Sequence, residues 1–184
     1  MSFRFCDETD YGFGWIADDR AARTSHALVV DGDVWLVDAL HWEDALERAR
    51  SLGRVAGVIQ LLDRHNRDCA AVAARLDVPY LRLPEHVDGG LEVVPIVDLP
   101  RWHERALWWP ERRVLVVAEA VGTVGWFTFG RRSLGLNPLF RLRPPSALRR
   151  FDPDVMLVSH GEGVLDASEP YRDALRIRSR GTGG

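Results

Sequence analysis

Two kinds of periodicity alternate along this chain. Thr24 to Val30 and Val34 to Ala39 are β-branched apolar runs separated by Asp31-Gly32-Asp33, and Asp-Gly between two such runs predicts a hairpin. From His41 to Leu52 the spacing turns helical. Trp42, Ala45, Leu46, Ala49 and Leu52 fall three and four residues apart, and Gly53 stands where a helix stops. Val55 to Leu62 is apolar on both faces, as expected of a strand inside a covered sheet. A helix over Arg67 to Leu76, capped by Asn66, and a strand over Val78 to Leu83 complete the first half. Strand, helix, strand, helix, strand predicts a layered α/β fold.

The second half repeats this with less helix. Leu91 to Val97, Arg105 to Trp109, Val114 to Val117 and Val155 to Ser159 read as strands, with a turn at Pro110-Glu111-Arg112-Arg113. Pro144 to Arg150 reads as a short helix. Ser168 to Ile177 reads as a closing one, with Tyr171, Ala174 and Leu175 as its apolar stripe. The stretch punctuated by Gly122, Gly125, Gly130 and Gly135 has no assignable period.

Composition narrows the class. At 184 residues, 46% hydrophobic and net charge −3, the chain suits one domain, taken as residues 1–179, followed by a disordered tail at Arg180 to Gly184. No apolar run approaches the roughly 20 residues of a membrane helix, and the first residues lack a signal-peptide layout, so no membrane partner is expected. Cys6 and Cys69 cannot build a disulfide framework, which makes a reducing cytoplasmic setting the default. All 24 basic residues are Arg. No recognised nucleic-acid motif is present.

Three apolar strands run straight into clusters of ligand-type residues. Val58 to Leu62 leads into Asp63-Arg64-His65-Asn66-Arg67-Asp68-Cys69, Val114 to Val117 into Ala118-Glu119, and Met156 to Val158 into Ser159-His160-Gly161. Sites in α/β proteins gather at the carboxyl ends of strands, and Asp, Cys, Glu and His form a plausible zinc set. A carboxylate directly after four apolar strand residues, as at Glu119, is costly unless paired with a metal or an arginine.

In this order the clusters resemble the metallo-β-lactamase fold hydrolases. Trp35-Leu36-Val37-Asp38 looks like the family's first hairpin ending in Asp, and Asp63 to Cys69 is similar in place and length to its Thr-His-x-His-x-Asp-His motif. Ala106-Leu107-Trp108-Trp109-Pro110-Glu111, Ala118-Glu119 and Ser159-His160-Gly161 look like the later elements, so the likeness spans Ser25 to Ala174. It implies a four-layer αββα sandwich, a site along one sheet edge, and a small-molecule substrate.

Laid on the family motif without gaps, Arg64, Asn66 and Pro100 stand at the three histidines of the first metal site. Asp68, Cys69, Glu119 and His160 stand at the second site, all of them residue types able to bind a metal. His65 and His103 lie one and three positions out of register. Two readings follow. In one, zinc or another divalent ion sits on Asp68, Cys69, Glu119 and His160, or on a set that also uses His65, and activates water against an ester, lactone, lactam or thioester, with Asp68, Glu119 and His160 carrying the catalysis. In the other the usual two-metal centre is lost, the site is degenerate, and Arg64 supplies the cation. Asp68, Glu119 and His160 are expected to converge, and Arg64, or failing it Arg67, to pair with Asp68 or Glu119. Arg64→Ala should then lower the melting temperature more than Arg131→Ala.

Simpler roles compete for several of these residues. Cys69 at a helix start suits a small core residue, and His65 and His103 suit surface positions as well as site ones. His26, His41 and His86 suit structural or exposed ones, and the seven Trp suit packing. Arg131 to Arg150 holds six arginines and no acidic residue, which suits a cationic rim for an anionic substrate or nucleic acid, or a solvated loop-rich cover.

Overall fold

In a computed structural model, which describes residues 2–65, 67–130 and 133–176, the chain opens with an antiparallel hairpin that the apolar pattern does not announce. Its strands are β1 (Phe3–Thr9) and β2 (Gly12–Ala17). The hairpin predicted next is β3 (Thr24–Val30) and β4 (Asp33–Val37); Asp31 and Gly32, at φ 50° and 84°, take the left-handed conformations that a two-residue turn requires. Helix α1 (Glu43–Leu52) has Glu43 and Asp44 in its first turn and Arg50 in its last, as the helix dipole favours. Strand β5 (Arg54–Gln60), helix α2 (Cys69–Leu76) and the short β6 (Tyr80–Arg82) follow. Together the strands make a six-stranded sheet in the order β1-β2-β3-β4-β5-β6, antiparallel as far as β4 and parallel beyond it.

The second sheet contains β7 (Glu92–Leu99), β8 (Trp102–Trp109), β9 (Val114–Val117) and β12 (Val155–Val158), in the order β12-β9-β8-β7. Between β9 and β12 lie a two-residue ladder of β10 (Val121–Gly122) with β11 (Gly135–Leu136), and helix α3 (Gly125–Thr128). Two single turns of 3-10 helix follow, at Pro138–Phe140 and Ser146–Arg150. The expected helix over Pro144 to Arg150 is therefore only that second turn; Pro144 and Pro145 have no N–H to begin a helical ladder. Helix α4 (Ser168–Leu175) closes the described chain. Asn66, Ile177 and the tail at 180–184 lie outside the described residues; Asp68, not Asn66, stands at the N-cap of α2.

The layers follow from strand alternation. Along β3, β4 and β5, Ala27, Val34, Leu36 and Val58 face α1 and α2, where they meet Ala45, Leu46, Ala49, Val72 and Ala73. The alternate residues Leu28, Val30, Trp35, Val37 and Ile59 face the second sheet and join Val94, Ile96, Ala106 and Val116. Tyr171, Leu175, Leu148 and Phe151 cover that sheet's outer face, with the Phe151 ring 5.4 Å from Trp108. This is the expected αββα sandwich, its fourth layer thinner than its first. No helix among the described residues is long and apolar enough to cross a membrane.

One buried polar pair ties the first hairpin to the rest. The Asp7 carboxylate lies 3.1 Å from the His26 ring on β3 and accepts the Gly163 N–H at 2.8 Å, just beyond β12. Burial alone would push the Asp7 carboxyl up, but the His26 ring and the Gly163 N–H outweigh it and hold it below its ordinary value. Folded Asp7 therefore releases its proton at lower pH than the unfolded chain does, so its contribution is complete above pH about 4 and fades as pH falls through the folded value. Asp7→Asn is expected to lower the melting temperature at pH 7, with the gap to wild type closing as acid is added below pH about 4. Melting curves across that range check this.

Candidate metal centre

Backbone pairing stitches the two sheets together at one edge, and the candidate site lies in that seam. Beyond β5 the chain runs on so that Leu62 bridges Glu104 of β8 and Asp63 N–H donates to His103. At the other side, Thr24 N–H donates to the Ser159 carbonyl and Gly161 N–H to that of Ala22. Because β12 runs parallel to β9 with Val158 beside Val117, His160 and Glu119 leave the second sheet as neighbours. Gly161, at φ 93°, lets the chain fold over Thr123, whose Oγ1 would lie 2.0 Å from a Cβ there.

His65, Glu119 and His160 converge, with one ligand-type atom from each within 4.8 Å of the others. The His160 Nδ1–H donates to the Ala21 carbonyl at 2.9 Å, which turns Nε2 toward Glu119 Oε1 at 3.7 Å. His65 turns Nδ1 toward Asp38 at 3.4 Å and Nε2 toward the same Glu119 oxygen at 3.8 Å. The two contacts with Glu119, at 3.7 and 3.8 Å, are too long for hydrogen bonds, and both Nε2 atoms, like Nδ1 of His65, are buried without a partner. Burial pushes the Glu119 carboxyl up, but His160, Arg64 and His65 overcome it and hold it at about 2, fully ionised at neutral pH. Burial also drives His65 down against the pull of Asp38, helped by Arg67 and His160.

Two buried carboxylates support this trio: Asp38, which the likeness places at the end of the first hairpin, and Glu104, which sequence reasoning did not single out. Asp38, at the end of β4, accepts the Leu61 N–H at 3.0 Å and the Ser159 hydroxyl at 2.6 Å. Burial opposes its ionisation, yet His65, Arg67 and Ser159 keep it well below the usual carboxylate range. Arg67 itself donates to the Ser159 carbonyl at 2.7 Å. Glu104, on β8 and fully buried, gathers the N–H groups of Ala118, Glu119 and Ala120 on Oε1 at 3.2, 3.0 and 2.9 Å, and the Trp102 indole on Oε2 at 3.0 Å. Burial pushes its carboxyl up to about 7 despite these donors.

Arg64 makes the ion pair anticipated for it, donating to Glu119 Oε2 at 2.8 Å with its guanidinium 3.9 Å over the Trp102 ring. Glu119 thus turns one oxygen to an arginine and the other to two histidines. The expected convergence of Asp68 needs correction. Asp68 is exposed at the start of α2, and its carboxylate accepts the His41 N–H at 2.8 Å. Cys69 is also apart from the trio: the first turn of α2 directs it into the helix-facing core, with its thiol 3.7 Å from the Ala39 carbonyl, and burial drives the thiol's pKa far up. His65 takes the third place. His103 is engaged elsewhere, between Asp63 at 2.8 Å and Asp98 at 3.2 Å. Of the remaining histidines, His26 is buried on Asp7, His41 lies near Glu43 and His86 near Asp88 at the surface.

The sandwich is that of the metallo-β-lactamase fold, and comparison with solved structures bears this out. The DIM-1 metallo-β-lactamase exposed to ceftazidime superimposes with a TM-score of 0.66 at 13% identity, covering 95% of this chain and 96% of its own. A metallo-β-lactamase from Pontibacter korlensis gives 0.65 at 13% identity, covering 97% and 100%. The chemotaxis sensor ODP, described as a peroxy diiron species, gives 0.57 at 12% identity, covering 95% and 94%. No protein-family model and no curated protein sequence matches the chain.

Proposed function

We propose that this chain is a hydrolase of the metallo-β-lactamase fold whose two-metal centre has contracted to a single ion held by His65, Glu119 and His160. What carries the reading is the pair of buried, unpartnered Nε2 atoms facing one carboxylate oxygen. An orphaned buried ring nitrogen is expensive, and one divalent ion relieves both. The separations of 3.7 and 3.8 Å are close to those of donors around an ion with bonds of about 2.1 Å. Bound there, the ion would supply a Lewis acid and a water acidic enough to attack an ester, lactone, lactam or thioester.

The chain's own residues do the rest. The Ala21 carbonyl fixes the tautomer and direction of His160, and Asp38 stands behind His65, as outer partners of ligating histidines do. Arg64 balances the charge of Glu119 and, being half-exposed, presents its remaining donors to an anionic group in the cleft. Asp68 and Cys69 stay outside the ligand set. Both cysteines are free and buried, in keeping with a cytoplasmic setting. The single domain of residues 1–179 belongs to the same reading.

The Arg64–Glu119 pair favours a second reading, a metal-free binding protein in which the guanidinium is the site's resident cation. Protein purified without a metal-affinity tag and titrated with Zn²⁺ and Co²⁺ separates the two. The expected result is one equivalent bound by wild type, with binding lost in His160→Ala and Glu119→Gln. No uptake by folded wild type establishes the metal-free reading instead.

A further inference from the structure

The segment between β10 and β12 carries four of the chain's exposed large apolar side chains: Trp126, Phe129, Leu139 and Leu142, the last three more than two-thirds exposed. They border the site. The Trp126 ring lies 6.2 Å from His160, and Phe140, between Leu139 and Arg141, packs 4.6 Å from Trp102 under Arg64. Asn137 anchors the segment by donating to the Glu119 carbonyl at 3.2 Å. Arg141 binds the apolar members together, its guanidinium 3.4 Å from the Phe129 ring and donating to the Trp126 and Phe127 carbonyls at 2.5 and 3.0 Å. Arg143 is exposed beside it. No carboxylate occurs between Arg131 and Arg150, although the chain as a whole is net negative. Arg131 and Arg132 themselves lie outside the described residues.

Exposed aromatic and aliphatic side chains laid beside Arg141 and Arg143, which have no ion pair among the described residues, complement one chemistry: an apolar chain bearing an anionic group. Water solvates a cationic rim without needing Trp and Leu beside it, and a neutral apolar ligand makes no use of the arginines. We propose that this face binds a soluble anionic amphiphile and presents it to the His65–Glu119–His160 site, so that the substrate is an acyl compound with an apolar chain and an anionic terminus. The substrate role rests on the hydrolase reading; the binding does not, and it is therefore tested on metal-free protein.

Dodecanoate, butanoate and dodecyltrimethylammonium, each below its micelle-forming concentration, are titrated into the whole chain by calorimetry and by tryptophan fluorescence. Saturable binding of dodecanoate is expected, at least about tenfold tighter than either of the others. Leu139→Ser/Leu142→Ser is expected to weaken it about tenfold; both side chains are exposed, so the fold is not at risk. Arg143→Gln is expected to weaken it severalfold, and Trp126→Phe to remove most of the fluorescence response. Equal binding of the cationic amphiphile, or an unchanged affinity in the double variant, overturns the proposal. Binding to phosphatidylglycerol vesicles with none to monomeric dodecanoate overturns it too, and makes the face a membrane-surface contact. If dodecanoate binds as expected but the chain takes up no Zn²⁺, the amphiphile site stands and the hydrolase reading falls.

Discussion

Asp38→Ala is expected to lower the melting temperature by about 10 °C or more. The substitution leaves the Leu61 N–H and the Ser159 hydroxyl without their acceptor. It also strips the counter-charge from the buried Arg67 guanidinium, and removing one partner of such a buried set costs about 3–5 kcal/mol. Asp38→Asn separates shape from charge. Asparagine tolerates the left-handed backbone at φ 49° and keeps an oxygen for Leu61, so a loss of about half that size is expected. Thermal unfolding followed by circular dichroism measures both, and an alanine variant within about 2 °C of wild type would show that the network bears little weight.

Glu104 is expected to behave differently, because neither of its usual replacements suits the site. Glu104→Ala leaves three backbone N–H groups and the Trp102 indole buried without an acceptor, a loss of about 3–5 kcal/mol. Glu104→Gln is no rescue: turning its oxygen to the backbone points its NH2 at the indole donor, and the reverse leaves three donors facing an amide NH2. Both variants are expected to shift the denaturant midpoint downward and to speed hydrogen exchange at Ala118, Glu119 and Ala120, where a generally weakened fold would quicken exchange everywhere. Unchanged exchange at those amides would show that the loop holds itself.

Much of the scaffold is legible from the chain alone. Val114 to Val117 has no polar residue to blur it, and Asp31-Gly32 marks its turn by the one backbone hand that suits it. The opening hairpin is hidden for a physical reason. In β1 the inward position of Asp7 is filled by a carboxylate that is tolerable only because His26, far along the chain, meets it; glycines 12 and 14 thin the apolar pattern of β2. The same reason hides Glu104. His103-Glu104-Arg105 reads as a polar loop, so the strand is placed from Arg105 when it begins at Trp102. The one available signal is phase, since Trp102, Glu104 and Ala106 share the face that is buried.

The site itself is half legible. Glu119 and His160 are readable because each follows an apolar strand, and a strand's end has few places to go. In Asp63 to Cys69 the sequence offers His65 only beside Asp68 and Cys69, because a gapless alignment carries the order of residues and not the conformation of the loop. Starting α2 at Cys69 turns Asp68 toward His41 and leaves His65 to face the seam. An ordering of residue types can survive while the residue that reaches the cleft changes by a few positions.

Arg64 has a consequence for how this chain meets scarcity. A bound ion comes and goes with its supply, and a fold that relies on one to neutralise its carboxylates is at the mercy of that supply during synthesis. A guanidinium is joined to the backbone, stays charged at every physiological pH and cannot be chelated away. With Arg64 seated on Glu119, that carboxylate is balanced by a charge the chain itself carries, whatever the supply of ions.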